Sequence, residues 1–135
     1  MRRVSAILAS LAALDLTLAT VGFFFPQLWF TIFHGVDYVD PQGFLRRCAA
    51  NWLAFGILQA VAYTRWRRQP YWLVLIAGVR LSDIFTDWTY LHFAHDITWF
   101  GRVSLFAVSP ANLALGFYLL RWYQKYNSPL DQRPA

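Results

Sequence analysis

A chain of 135 residues is one domain's worth, and this one is 58% hydrophobic, 19% aromatic and only 14% charged. Long uncharged runs at that composition exclude an ordinary soluble domain and predict an all-α integral membrane protein. The net charge of +5 raises nucleic acid as a partner, but the basic residues stand in short clusters beside apolar runs, so they read as topology signals and nucleic acid is excluded.

Met1-Arg2-Arg3 precedes VSAILASLAALDLTLATVGFFF, about 22 residues that suffice for one crossing at ~1.5 Å per residue. A basic start and an apolar run also fit a cleaved signal peptide. The length of this run, Asp15 within it and its continuation into Pro26 without a small-x-small site predict instead a retained helix. Pro26 opens a short piece, PQLWFTIFHG, which Gly35 ends. Leu28, Trp29, Ile32 and Phe33 share one side of it, so it is expected to lie along the far interface.

Asp40-Pro41 predicts an N-cap followed by Pro at the first helical position, opening the second crossing, QGFLRRCAANWLAFGILQAVAYT. A basic turn from Arg65 to Pro70 leads to the third, Tyr71 to Phe93. Asp96 is expected to cap the fourth, VSLFAVSPANLALGFYLLRWY, and Pro110 inside it predicts a kink. Residues 1–123 then form a single domain, an integral membrane four-helix bundle, and residues 124–135 a polar cytoplasmic tail.

Orientation follows from the basic residues. With the N-terminus inside, Arg2, Arg3, Arg65, Arg67, Arg68, Arg121, Lys125 and Arg133 fall in the cytoplasm and Arg46, Arg47 and Arg102 outside. Both termini are therefore expected in the cytoplasm of a bacterial inner membrane. Most tryptophans, Trp66 among them, fall near predicted helix ends, where indole rings favour the headgroup region. Ala6, Ser10, Ala13 and Thr17 on the first helix, and Ala50, Ala54 and Gly56 on the second, are expected to permit close helix approach.

The third crossing carries Arg80, Asp83 and Asp87 at i, i+3, i+7, hence on one face. Ionised groups there require partners or water. Counting from the cytoplasmic ends at ~1.5 Å per residue puts Asp15 at ~16 Å, Arg80 at ~14 Å, Asp83 at ~18 Å and Asp87 at ~24 Å. On the same scale Gln59 lies at ~9 Å, Asn51 at ~21 Å, Arg47 at ~27 Å, Asn112 at ~14 Å and Ser109 at ~18 Å. Asp15 is therefore expected to pair with Arg80, and Asp87 with Arg47 or Arg46. Asp83 is expected to share Arg80 or to accept from Asn51, Asn112 or Ser109. Two acids and one base in the central layer would suit a proton relay. The same set would equally fix helix register, or line a polar cavity for a ligand.

His34, His92 and His95 form a second constellation at the outer surface, with Cys48, Asp37 and Asp96 near in sequence, and are candidate zinc or copper ligands. Histidines at helix ends more often cap carbonyls, so metal is not the favoured cofactor. A single cysteine excludes an internal disulfide. No nucleophile-base-acid grouping, Gly-rich phosphate loop or paired-carboxylate hydrolase spacing stands in the chain.

The Phe-rich end of the first helix with Pro26 and Trp29, Leu45-Arg46-Arg47 opening the second, and Ala77-Gly78-Val79-Arg80-Leu81-Ser82-Asp83 in the third resemble the DoxX-like group of small four-helix bacterial membrane proteins. The resemblance spans roughly Val4 to Tyr123 and implies a four-helix fold, with a link to quinone or sulfur redox chemistry in some relatives. The expected function is that of a small inner-membrane accessory subunit of a redox or transport system, working beside a membrane protein partner or as a homo-oligomer. The alternative is a membrane oxidoreductase or carrier in which Arg80, Asp83 and Asp87 line a site for a quinone or another small polar-headed ligand.

Overall fold

The computed structural model describes residues 2–127, and among them it holds five α-helices and no strand. They are α1 (Arg2–Phe24), α2 (Pro26–Phe33), α3 (Phe44–Arg65), α4 (Tyr71–Phe93) and α5 (Trp99–Tyr126). Two of them, α1 and α5, are long and apolar enough to cross a membrane. Helices α3 and α4 are of similar length, 22 and 23 residues, but the Arg, Asp, Asn and Gln they carry dilute their apolar character.

The helices pack as two antiparallel pairs. Along α1 and α3, Trp66 donates its indole N–H to Ser5 Oγ at 3.1 Å, Gln59 meets Asp15, Gly56 seats Leu16, and Gly22 lies against Ala49 and Trp52. Along α4 and α5, Gly116 seats Leu81, Asn112 meets Asp83 and Ser109 meets Asp87. Gly56 and Gly116 are points of close approach within the two pairs, since a Cβ at either would stand within 3 Å of a leucine branch.

The pairs converge at the end that holds Arg2, Arg3, Arg65, Arg67 and Arg68. Val4, Leu8, Ala62, Trp66, Leu73, Ile76 and Leu119, all 0% exposed, close the core there. Trp66, expected among the headgroups, is instead fully buried because Ser5 satisfies its N–H and Tyr126 packs edge-on at 5.9 Å. The expected small-residue contact face of α1 is also corrected. Ala6, Ser10, Ala13 and Thr17 are exposed, and the buried face runs through Val4, Leu8, Leu11, Ala12, Asp15, Ala19 and Gly22. On α3, Gly56 is buried as expected, whereas Ala50 and Ala54 are exposed.

Helix starts differ from the sequence reading in informative ways. Pro26 does open α2, and Gly35 follows its end at φ +67°. Helix α3 begins at Phe44 rather than Pro41, with Gly43 as N-cap at φ +69°. Asp40 nevertheless serves the helix from outside, its carboxylate accepting from the N–H groups of Phe44 at 2.8 Å and Leu45 at 2.9 Å and from the Tyr38 hydroxyl at 3.1 Å. Partial removal from water pushes the Asp40 carboxyl up, but these donors together hold it below its ordinary value. Tyr38 is pushed the other way, first by desolvation and then by its bond to Asp40.

Thr98, not Asp96, caps α5, its Oγ1 accepting from the Gly101 N–H at 3.0 Å. The same hydroxyl reaches the carbonyls of Ile32 at 2.8 Å and Phe33 at 3.1 Å, and the Thr98 N–H donates to the Phe33 carbonyl at 2.9 Å. One threonine thereby clips α2 to the start of α5. Pro110 lies inside α5, which continues past Tyr123 to Tyr126 with Asn127 as its C-cap, so the helix takes in the first residues of the polar segment that begins at Gln124. The rest of the expected tail, residues 128–135, lies outside the described residues.

Gly101 makes the α2–α5 contact testable. A Cβ there would stand 2.6 Å from the Phe33 carbonyl oxygen, whereas one at Gly78 meets nothing within 4 Å. Gly101→Ala is expected to destabilise by about 1–3 kcal/mol in thermal unfolding of the purified protein, as overpacking against backbone does. Gly78→Ala is expected to be neutral or stabilising by up to about 1 kcal/mol. The Asp40 cap has a sign in pH. Because its folded pKa is depressed, its contribution is complete above the unfolded value near 3.8 and is lost as pH falls through the folded one. The Phe44 and Leu45 amides should lose hydrogen-exchange protection in that acid window, and Asp40→Asn should abolish the pH dependence.

Candidate functional site

Inside the bundle, Arg80 of α4 donates from Nη2 to Asp15 Oδ2 of α1 and from Nη1 to Asp83 Oδ2 at 3.1 Å. The Asp15 and Arg80 side chains are 3% and 5% exposed, so this is a fully interior ion pair joining the two helix pairs. The Gln59 amide of α3 donates to the same Asp15 oxygen at 2.5 Å. Three helices therefore converge on a single carboxylate oxygen.

The polar line continues along α4. Asn112 of α5 donates its amide to Asp83 Oδ2 at 3.2 Å, and Ser109 Oγ stands 3.3 Å from both Asp87 Oδ2 and the Leu105 carbonyl, with one proton to share between them. Exposure rises in the same direction. Arg80 is buried, while Asp83 and Asp87 are half-buried, and no α4 residue beyond Arg80 is buried at all. Both carboxylates nonetheless take their bonds on one oxygen only.

Two buried polar atoms inside this network have no hydrogen-bond partner among the described residues: Gln59 Oε1, an acceptor, and Arg80 Nε, a donor. An orphaned buried polar atom costs about 1–3 kcal/mol, so each marks a place where water or a ligand group is favoured.

Of the expected site residues, Asp15, Arg80, Asp83, Asp87 and Asn112 are brought together, with the Asp15–Arg80 and Asp83–Asn112 partners as read from helix heights. Two are not. Arg47 is exposed, as is Arg46, whose guanidinium sits 6.0 Å from the Tyr38 ring centroid, so the expected Asp87 pairing is replaced by Ser109. Asn51 is also exposed, because the buried face of α3 runs through Leu45, Ala49, Gly56, Gln59 and Ala62 and turns position 51 away. Gln59 was the missing member. Its ~9 Å height placed it too low, yet it is an isolated amide in the apolar run GILQAVA, and that isolation was the available signal.

The three histidines are not gathered into one cluster. Among the described residues no three His, Cys, Asp or Glu side chains gather as a metal-holding group. Both ring nitrogens of His34 are engaged: Nδ1–H donates to the Asp96 carbonyl at 2.7 Å, and Nε2 accepts from the Tyr90 hydroxyl at 2.7 Å. His92 and His95 are exposed, and His92 stacks edge-on against Phe93. His34 is thus a brace between α2, α4 and the loop before α5.

No known family model, no curated protein and no solved structure matches this chain.

Breaking the central pair should be costly, because it leaves a lone charge in the interior. Arg80→Leu is expected to destabilise by about 3–5 kcal/mol and to lower sharply the yield of folded protein. The double variant Arg80→Leu/Asp15→Leu should recover part of that yield. Normal recovery of the single variant would show that the pair is not needed.

Proposed function

We propose that this chain is a multi-pass inner-membrane protein, a four-helix bundle of α1, α3, α4 and α5 with α2 at the outer interface, serving as a small accessory subunit of a redox or transport system. On this reading the one end of the bundle that carries Arg2, Arg65, Arg121 and their neighbours faces the cytoplasm, both termini with it, and Pro110 bends the last crossing. Large apolar side chains exposed around the bundle, such as Phe85 at 77%, Phe106 at 66% and Phe117 at 59%, suit contact with acyl chains. The resemblance to DoxX-like proteins points the same way.

The observation that carries the accessory role is the seam along α4. Its carboxylates, Asp83 and Asp87, are only half-buried, on a half of the helix where no residue is fully buried, and a bilayer does not leave such groups part-open to lipid. A neighbouring membrane subunit would cover it. Purification of the intact assembly in mild detergent is expected to return stoichiometric partners, and loss of those partners on Asp83→Leu/Asp87→Leu would tie them to the seam. A chain recovered alone or only as a homo-oligomer would overturn the heteromeric form.

A second reading is favoured by the unpartnered Gln59 Oε1 and Arg80 Nε, which offer a buried acceptor and donor beside the half-open carboxylates. That combination suits the head of a quinone or a similar small polar ligand. Under this reading, the purified protein should carry such a molecule, and the thermal shift it induces should vanish in Asp83→Asn.

A further inference from the structure

The basic end of the bundle holds a groove that the central network does not use. Its walls are Tyr118, Arg121, Trp122 and Lys125, the last two turns of α5, around a cavity of about 320 Å³. We infer that this groove is a binding site for the headgroup of an anionic phospholipid of the cytoplasmic leaflet, an inference that rests on the membrane reading above.

Spacing assembles the site. Arg121 and Lys125 stand four apart, as do Tyr118 and Trp122, so two cations and two amphipathic rings share one helical face. Lys125 Nζ lies 5.7 Å from the Trp122 ring centroid, and Tyr118 and Trp122 meet edge-on with centroids 6.4 Å apart, so the aromatic wall is mutually braced. Among the described residues neither Arg121 nor Lys125 has a carboxylate partner. Every described acidic residue, Asp15, Asp37, Asp40, Asp83, Asp87 and Asp96, lies in the interior or at the opposite end. Among the described residues the groove is therefore positive, with no carboxylate beside it.

A phosphodiester complements this arrangement. The guanidinium of Arg121 and the ammonium of Lys125 can hold its oxygens by charge-assisted hydrogen bonds, while the indole and phenol rings suit the glycerol and ester layer. Toward the bundle's middle the same face of α5 continues through Ala114 and Ala111, both exposed and small, a shallow track along which an acyl chain can lie. Free phosphate would use the two cations but neither the rings nor the track. A lipid uses all three.

The test is made on the full chain in neutral detergent and in vesicles. Phosphatidylglycerol is expected to raise the unfolding temperature and phosphatidylcholine to do so much less, with inorganic phosphate giving no comparable shift. Arg121→Gln/Lys125→Gln should weaken the phosphatidylglycerol response about 30-fold, from the loss of two direct charge-assisted contacts at about 1 kcal/mol each. Its lipid-free unfolding temperature should stay at the wild-type value, since both side chains are exposed. Arg67→Gln/Arg68→Gln removes the same charge from the same end and should change the response less than threefold, and Arg121→Lys should restore most of it. An equal response to both lipids, an equal loss in the two double variants, or a matching response to free phosphate would overturn the site. Failure of the chain to enter vesicles of either lipid would instead overturn the membrane reading beneath it.

Discussion

One carboxylate oxygen, Asp15 Oδ2, is shared by the guanidinium of Arg80 and the amide of Gln59, and the mutual placement of α1, α3 and α4 depends on it. Burying an acid or a base alone costs several kcal/mol, and burying both is tolerated only where geometry and additional hydrogen bonds compensate. Here the compensation is substantial, although Arg80 Nε and Gln59 Oε1 stay unpartnered among the described residues. Arg80 spends its second terminal nitrogen on Asp83, and Asp83 in turn is held by Asn112. A one-residue rotation of α1 or α4 would swing Asp15 or Arg80 out of reach. Apolar packing, which tolerates leucine for leucine along nearly any face, imposes no such condition. The network's contribution is thus chiefly to choose one arrangement among many of similar apolar burial.

Around that point the molecule is graded. At the basic end, tryptophan, leucine and isoleucine close the core, and Trp66 is sealed by Ser5 and Tyr126. Past Arg80 the packing of α4 is one-sided: α5 supplies Ser109 and Asn112, while α1 and α3 pack on each other through Gly22, Ala49 and Trp52. A tight base and a looser opposite half are what an interior polar site needs, because the charges are positioned by the rigid part and reached from the other.

Much of this was legible in the residues, for identifiable reasons. Helical rise is constant, so counting alone matched Asp15 to Arg80 and Asp83 to Asn112 across different helices. The count fails where a side chain reaches along the axis, as Gln59 does, and where a helix is apolar on all sides. Helix α1 offers leucines and alanines in every direction, so periodicity could not tell which face is inward, and the small-residue stripe was assigned to the wrong one. Helix α3 carries Arg47 and Asn51 on its outer face, positions that composition alone could not separate from the inner one. Local chemistry misled only by a few residues: Asp40 and Asp96 were expected as caps, whereas Gly43 and Thr98 take those positions and Asp40 bonds to the helix from further upstream.

The clip that Thr98 makes between α2 and α5 joins segments more than sixty residues apart. A ribosome releases the first of them long before the second exists. Helix α2 must therefore wait with the carbonyls of Ile32 and Phe33 unanswered until the start of α5 has emerged. The contact at the end opposite the basic core is thus closed by a much later stretch of chain, and a chain truncated before Thr98 would be left ajar there.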